Sequence, residues 1–349
     1  MQATTRSRTL TIGIDLGDEF SVLCVLDADG AVQERCQVRT TPAAFEARFR
    51  AWPASRCALE VGTHSPWVQP LLRAVGHEVL VANARKLRLI YAGDRKNDRL
   101  DAEKLARVAR MDPALLSPIE HRGPAVLADR AQLRARDVLV RCRTLLVNHA
   151  RGVCKGFGAR LPRCSPERLP AHLAAVPAEL RPALTPILEM IAAHTTQLRA
   201  FDRALVRVAR AHYPITAALR AVPAVGSLTA LAYVLLIEDP SRFKDSRTVA
   251  AYLGLCPRQR QSGATDPECR ISKAGDGFVR RLMVQSAQRM LQKRSPDTAL
   301  KQFGLRLAAR GGKTAKKRAV VAVARKLATL LHRLWVTGRP YRPFPAGTA

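Results

Sequence analysis

Four carboxylates in the first third of the chain stand where they could do chemistry. Asp15 closes the alternating run TLTIGID (9–15), Glu60 lies at the end of RCALEV (56–61), and Asp98 and Asp101 are three apart in RKNDRLDAEKLARVARM (95–111). Carboxylates delivered from two strand ends and one helix start can converge at one edge of a sheet. An all-oxygen cluster of that kind suits Mg2+, a hard cation, and paired Mg2+ ions activate an attacking oxygen and stabilise a leaving one. Simpler readings stay open. Asp98-x-x-Asp101 is also a helix N-cap with an acid at the third position, favoured by the helix dipole. Asp15 before Leu16-Gly17 is also an ordinary strand end. Glu60 is harder to dismiss, because a carboxylate in an apolar strand is costly unless it is paired or metal-bound. A fifth group lies far along the chain. Ser262, followed by Gly263, sits in CPRQRQSGATDPECRISKAGDG (256–277) among Arg258, Arg260, Arg270 and Lys273. A serine in such a cationic loop could be a phosphate-directed nucleophile; it is also one loop serine among several, with Ser272 only ten residues on.

The elements that must position these groups follow from periodicity. TLTIGID reads as a strand, and FSVLCVLDADGAVQERCQV as two strands around an Asp29–Gly30 turn. FEARFRAW predicts a helix, RCALEV a buried strand, PWVQPLLRAVG a helix stopped by Gly76, and HEVLVAN a strand. ARKLRLIYAG (84–93) reads as helical, and a further helix runs from about Asp98 to Met111. The expected result is a mixed α/β domain with helices on both faces, residues 1–112. DPALLSPIEHRGP (112–124) is a connector. Two long basic helical segments, about 125–158 and 178–213, predict either an antiparallel coiled-coil-like arm or an ordinary two-helix unit, residues 113–215. The remainder, 216–349, reads as mainly α-helical. It opens with a helical hairpin, LRAVPAVGSLTALAYVLL (219–236), whose turn and second helix start, Gly226 and Ser227, could meet phosphate; any two packed helices need a turn as well. The serine-bearing loop follows, then FVRRLMVQSAQRML with Arg280 and Arg281, and a closing amphipathic helix. Loops of such length within a compact domain tend to be functional.

Charge narrows the partners. The 349 residues carry a net charge of +30, unevenly placed. Residues 1–120 hold 17 basic and 15 acidic side chains, whereas residues 121–349 hold 41 and 13. So basic a surface repels itself unless a polyanion is present, and nucleic acid, bound through its phosphates, is the expected partner. No apolar run reaches the ~18 residues of a membrane span, and the N-terminus lacks the pattern of a signal peptide. The eight cysteines contain no CxxC or CxxH pair, which argues against zinc. A soluble, cytoplasmic protein is expected.

In chain order, IGIDLG, ALEVG, KNDRLDAEKLAR, VPAVGSLTALAYVLLIEDPSRFKDSRTVAAYLGLCPRQRQSG, RISKAGDGFVRRLMVQSA and KKRAVVAVARKLATLLHRLW resemble transposases of the insertion-sequence-110 family, the group that includes Piv-type DNA invertases. The resemblance spans nearly the whole chain. It implies a RuvC-like, RNase H-type N-terminal domain whose acids, Asp15, Glu60, Asp98 and Asp101, bind Mg2+ (or Mn2+). It implies a C-terminal domain with Ser262 as nucleophile, and a coiled-coil arm used to assemble protomers into a dimer or a dimer of dimers. It also implies donor and target DNA as substrates, an element-encoded non-coding RNA as partner, and a place in the bacterial cytoplasm with the nucleoid. Arg258, Arg260, Arg270, Lys273, Arg280 and Arg281 are the expected nucleic-acid contacts, together with Gly226 and Ser227. The sequence departs from the family at three places. Glu60-Val61-Gly62-Thr63-His64 replaces Glu-Ala-Thr/Ser-Gly, Lys96-Asn97-Asp98 replaces Lys-Thr-Asp, and Ala224-Val225-Gly226 replaces Gly-Ile-Gly. Two other functions remain compatible: a RuvC-like, metal-dependent, junction-resolving endonuclease that cuts by water attack, and a non-catalytic nucleic-acid-binding protein.

Overall fold

Alternation along the strands decides how the N-terminal sheet is clad. The computed structural model describes residues 10–84, 98–259, 267 and 269–344, with Asp98 and Lys313 described by backbone alone. Two compact units emerge, 1–123 and 124–349. In the first, strands β1 (Thr11–Asp15), β2 (Phe20–Leu26) and β3 (Val32–Arg39) precede helix α1 (Pro42–Arg50), strand β4 (Arg56–Glu60), helix α2 (Ser65–Ala74), strand β5 (Glu78–Ala82) and helix α3 (Asp98–Met111). The strands align in the order β3-β2-β1-β4-β5. β2 is antiparallel to β1 and β3, while β4 is parallel to β1 and β5. The helix expected over 84–93 lies outside the described residues except for Ala84.

Successive side chains of a strand point to opposite faces. Ile12, Ile14, Cys57 and Leu59, all fully buried, therefore share one face and pack against Phe45 and Phe49 of α1 and Val68 and Leu72 of α2. Each such side chain contributes about 1.5–3 kcal/mol by leaving water. The other face carries Gly13 and Ala58, and α3 lies directly on it through Ala102, Leu105, Ala106 and Ala109. A Cβ at Gly13 would overlap the Ala102 carbonyl oxygen and fall 2.7 Å from the Ala106 nitrogen. Only glycine lets the helix backbone sit this close to the strand. Thr41 caps α1, its Oγ1 accepting from the Ala44 amide, with Pro42 at the first helical position.

The second unit is helical: α4 (Pro124–Gly156), α5 (Arg181–His212), α6 (Ile215–Leu219), α7 (Ser227–Ile237), α8 (Ser246–Tyr252), α9 (Gly277–Met290), α10 (Ala299–Ala308) and α11 (Gly312–Thr337). The proline-rich stretch between α4 and α5 forms short 3-10 turns at Leu169–Ala175 and Ala178–Leu180. α4 and α5 run antiparallel. Arg136 pairs with Asp202, and Arg143, two turns further along α4, donates to Thr195, two turns earlier in α5. α7 is apolar on every side and buried from Thr229 to Ile237, as a helix at the centre of a core must be. Tyr233 at its middle donates to the Ala328 carbonyl of α11 at 2.8 Å. Among the described residues no helix is long and apolar enough to cross a membrane.

The α6–α7 hairpin shows the consequence of one sequence departure. Ala224 has φ +65°, in the left-handed region where an L side chain is strained. Ala224→Gly is expected to raise stability by about 0.5–1 kcal/mol, since relief of strain exceeds the entropy added to the unfolded chain. The urea midpoint at constant m-value measures it; a lower midpoint would show the strain to be negligible.

Candidate active site

Two of the predicted acids end neighbouring strands. Ile14 pairs with Leu59 in the parallel β1–β4 ladder, so Asp15 and Glu60 occupy the next register position at the carboxyl ends of both strands. By alternation they share the face of Gly13 and Ala58, which is the face α3 covers. α3 runs against the strand direction. Ala102 and Ala106 sit over Gly13, at the middle of β1, while the Ala109 carbonyl accepts from Arg56 at the start of β4. The amino end of α3, carrying Asp98 and Asp101, therefore lies at the edge where Asp15 and Glu60 end their strands. Asp101 is largely buried, 13% exposed, and lies 3.6 Å from Lys104 one turn on. Asp15 and Glu60 are half-buried, and each is engaged by neighbouring groups.

The donor set at this edge is carboxylate oxygen alone, which fits a hard cation. Among the described residues no three His, Cys, Asp or Glu side chains are grouped closely enough to hold a metal ion. The carboxylate of Asp98, the fourth predicted ligand, is outside that set. His64, in the loop where the sequence departs from Glu-Ala-Thr/Ser-Gly, accepts from the Trp67 indole at 3.2 Å and faces Asp18 at 3.5 Å.

The second candidate region is the loop between α8 and α9. Its two ends form a short antiparallel stem around the Pro257–Ile271 bridge. Arg258 donates its amide to the Arg270 carbonyl at 3.0 Å, Ser272 to Cys256 at 2.8 Å, and Lys273 to Gly254 at 3.1 Å. Gly254 and Gly275 lock the stem to α8: a Cβ on the first would overlap the Ala274 backbone, and one on the second the Tyr252 carbonyl. Ser262 and Arg260 lie outside the described residues. Arg258 and Arg270 face each other across the stem, both exposed. Like charges held opposite one another repel, so the stem presents a cationic surface that an anion would relieve. Lys273, also exposed, has φ +53°.

Arg280 and Arg281, expected to contact nucleic acid, have partners inside the fold. Arg280 donates to the Leu253 and Ala274 carbonyls at 3.1 and 2.7 Å, tying α9 to the stem. Arg281 pairs with Asp137 of α4 and lies over the Phe278 ring. A further anchor escaped the sequence reading, although Asp276-Gly277 before a helix is a cap signal. Asp276 accepts from the Phe278 and Val279 amides at 2.8 and 3.1 Å and binds Arg130 and Arg134 of α4 at 3.1 and 2.5 Å. Burial alone would raise its carboxyl pKa. The helix amides and the two guanidiniums outweigh that and hold it below the usual range. A depressed carboxyl stabilises the fold above its unfolded pKa, and that contribution is lost as pH falls through the folded value. Asp276→Ala should therefore cost on the order of 2 kcal/mol at neutral pH. The gap to wild type in urea denaturation should shrink below about pH 4; a gap independent of pH would contradict the ionic part of this anchor.

Comparison with known proteins bears on both regions. A family model described as transposase, of the DEDD IS110 type, matches residues 12–158. A second, described as the transposase IS116/IS110/IS902 family, matches residues 216–302. The chain is 28% identical to the transposase for insertion sequence element IS1111A of Coxiella burnetii, over 95% of this chain and 91% of that protein. It is 31% identical to a putative transposase of Sinorhizobium fredii, over 84% of this chain and 76% of that protein. It is also 31% identical to a pilin gene-inverting protein of Moraxella lacunata, over 35% of this chain and 37% of that protein.

Proposed function

The chain belongs to the IS116/IS110/IS902 family of insertion-sequence transposases, and from that membership we propose that it cuts and rejoins DNA strands through a phosphoserine intermediate. The observation that carries the reading is the coexistence of two features in one chain. One is an acidic sheet edge built by Asp15, Glu60 and the start of α3; the other is a cationic stem, Arg258 and Arg270 to Lys273, that flanks Ser262 in sequence. The sheet order β3-β2-β1-β4-β5, with a hairpin on one side of β1 and parallel strands on the other, supports a RuvC-like, RNase H-type domain.

In the proposed reaction the Ser262 hydroxyl attacks a backbone phosphorus. The new bond joins phosphorus to the serine oxygen, the bond to the 3′ oxygen breaks, and a 3′-hydroxyl leaves. The serine proton passes to a carboxylate base, and the leaving oxygen takes up a proton. A 3′-hydroxyl of the exchanging strand then attacks the phosphoserine and restores a phosphodiester. Holding the phosphate on the protein conserves the energy of the broken bond, so rejoining needs no nucleotide cofactor. Asp15, Glu60, Asp98 and Asp101 would hold Mg2+, with Mn2+ able to substitute; such an ion when bound supplies positive charge to a pentavalent phosphate. Arg258, Arg260, Arg270 and Lys273 would neutralise phosphates beside the scissile one. Gly226 and Ser227 would approach the backbone at the helical hairpin. The excess of cations after residue 120 suits binding of donor and target DNA together with an element-encoded RNA, in a homo-oligomer assembled through the α4–α5 pair. Trapping a covalent protein–DNA adduct that depends on Ser262 tests the proposal, and wild-type cleavage without any adduct would overturn it.

A further inference from the structure

The cavity bounded by the last turn of α5, by α6 and by the first turn of α7 has a volume of about 240 Å3. That is far above the roughly 10–15 Å3 that admits one water. Arg210, Thr216, Arg220 and Ser227 line it together with the half-buried Val206 and the buried Ala209. Among the described residues no carboxylate lines the cavity. Both arginines are exposed, and neither has an acidic partner among the described residues. Other arginines of this unit are matched with acids, as Arg130 and Arg134 are with Asp276, Arg136 with Asp202 and Arg143 with Glu167. Two unmatched guanidiniums on one concave surface raise the potential there and leave ten N–H donors seeking acceptors.

We propose that this cavity binds a backbone phosphodiester of nucleic acid, with Arg210 and Arg220 as its two cationic walls. The site rests on the reading of the chain as a nucleic-acid enzyme and adds to it a contact point apart from the serine loop. The chemistry selects the ligand. Guanidinium presents a planar fork that matches two phosphate oxygens, which a lysine pair would not do. The Ser227 hydroxyl adds a third donor. The apolar lining of Val206 and Ala209 suits the sugar carbons on either side of the phosphate. A cation is repelled, and an uncharged apolar ligand would leave both arginines without acceptors.

The test uses the full-length protein and its Arg210→Ala, Arg220→Ala and doubly substituted variants. Duplex DNA and an RNA of equal length are titrated at several salt concentrations. Neither arginine supports the fold through a partner, so melting temperatures should stay at the wild-type value. The double variant should lose about tenfold or more in affinity. The slope of log K against log salt should become shallower by about 0.9 for each duplex phosphate contact removed. Loss on the duplex alone assigns the site to DNA and loss on RNA alone to RNA; either supports it. Arg220→Lys should keep the salt slope and lose part of the affinity. Unchanged affinity and slope in the double variant, while wild type binds, would overturn this site and leave the nucleic-acid reading standing. Failure of wild type to bind either polymer would overturn both.

Discussion

Ser262→Ala is expected to abolish the covalent protein–DNA adduct and strand rejoining together, while leaving DNA affinity within about twofold of wild type. The hydroxyl is the sole group of that side chain that can form a bond to phosphorus, and its removal takes away one oxygen without altering charge. In the proposed function binding rests on Arg258, Arg270 and Lys273, on a stem that backbone hydrogen bonds hold together. Denaturing electrophoresis of labelled DNA after reaction reads the adduct directly. Three outcomes separate the competing functions. Loss of both adduct and cleavage supports the nucleophile. Cleavage that persists without an adduct points to water attack at the carboxylates, as in a metal-dependent endonuclease. An adduct that persists in the variant sinks the assignment and moves attention to Ser272, which lies on the stem itself.

Glu60→Gln is expected to lower the rate of DNA cutting by on the order of a thousandfold, with the fold and the affinity for DNA preserved. The substitution keeps the shape of the side chain and removes its charge. Glu60 ends a strand whose inward face is fully buried at Cys57 and Leu59, so the sheet does not depend on the carboxylate for its packing. Asp15→Asn should behave in the same way at the adjacent register position. The pair at the start of α3 separates capping from catalysis. Asparagine caps a helix as well as aspartate does, so Asp98→Asn should leave the melting temperature unchanged. A full loss of cutting in that variant assigns Asp98 to the active site, and full retention makes it a cap alone. Asp101 lies beside Lys104 and one residue before Ala102, which packs against Gly13. Its replacement by asparagine tests a carboxylate already placed at the sheet edge. Rates that fall only with stability would show the acids to be structural.

Much of the fold was legible beforehand because its signals are local. The α3 boundaries, Asp98 to Met111, follow from an acidic start and a 3.6-residue apolar rhythm. The β2–β3 hairpin follows from Asp29-Gly30, where Gly30 takes φ +85°. The strand ends at Asp15 and Glu60 appear as breaks in apolar runs. The roles of Arg280 and Arg281 were not legible. In sequence they are two cations on a basic helix, whereas in the fold one binds backbone carbonyls and the other Asp137, 144 positions away. Arg210 and Arg220 carried no signal in the sequence. They line one cavity because α5 turns back through α6.

By itself, then, the sequence determined which segments become strands and helices, which face of each is apolar, that the second part of the chain must meet a polyanion, and which family its motifs resemble. Each of these depends on neighbouring residues or on summed charge, and neither needs a three-dimensional arrangement to be counted. The tertiary structure decided which carboxylates end neighbouring strands. Asp15 and Glu60 are 45 positions apart and become neighbours because β4 inserts beside β1. The start of α3 reaches the same edge because Gly13 lets the helix lie directly on the strand. Strand order and helix docking come from long-range packing, where a missing Cβ counts for as much as a charged side chain, and no local period encodes that.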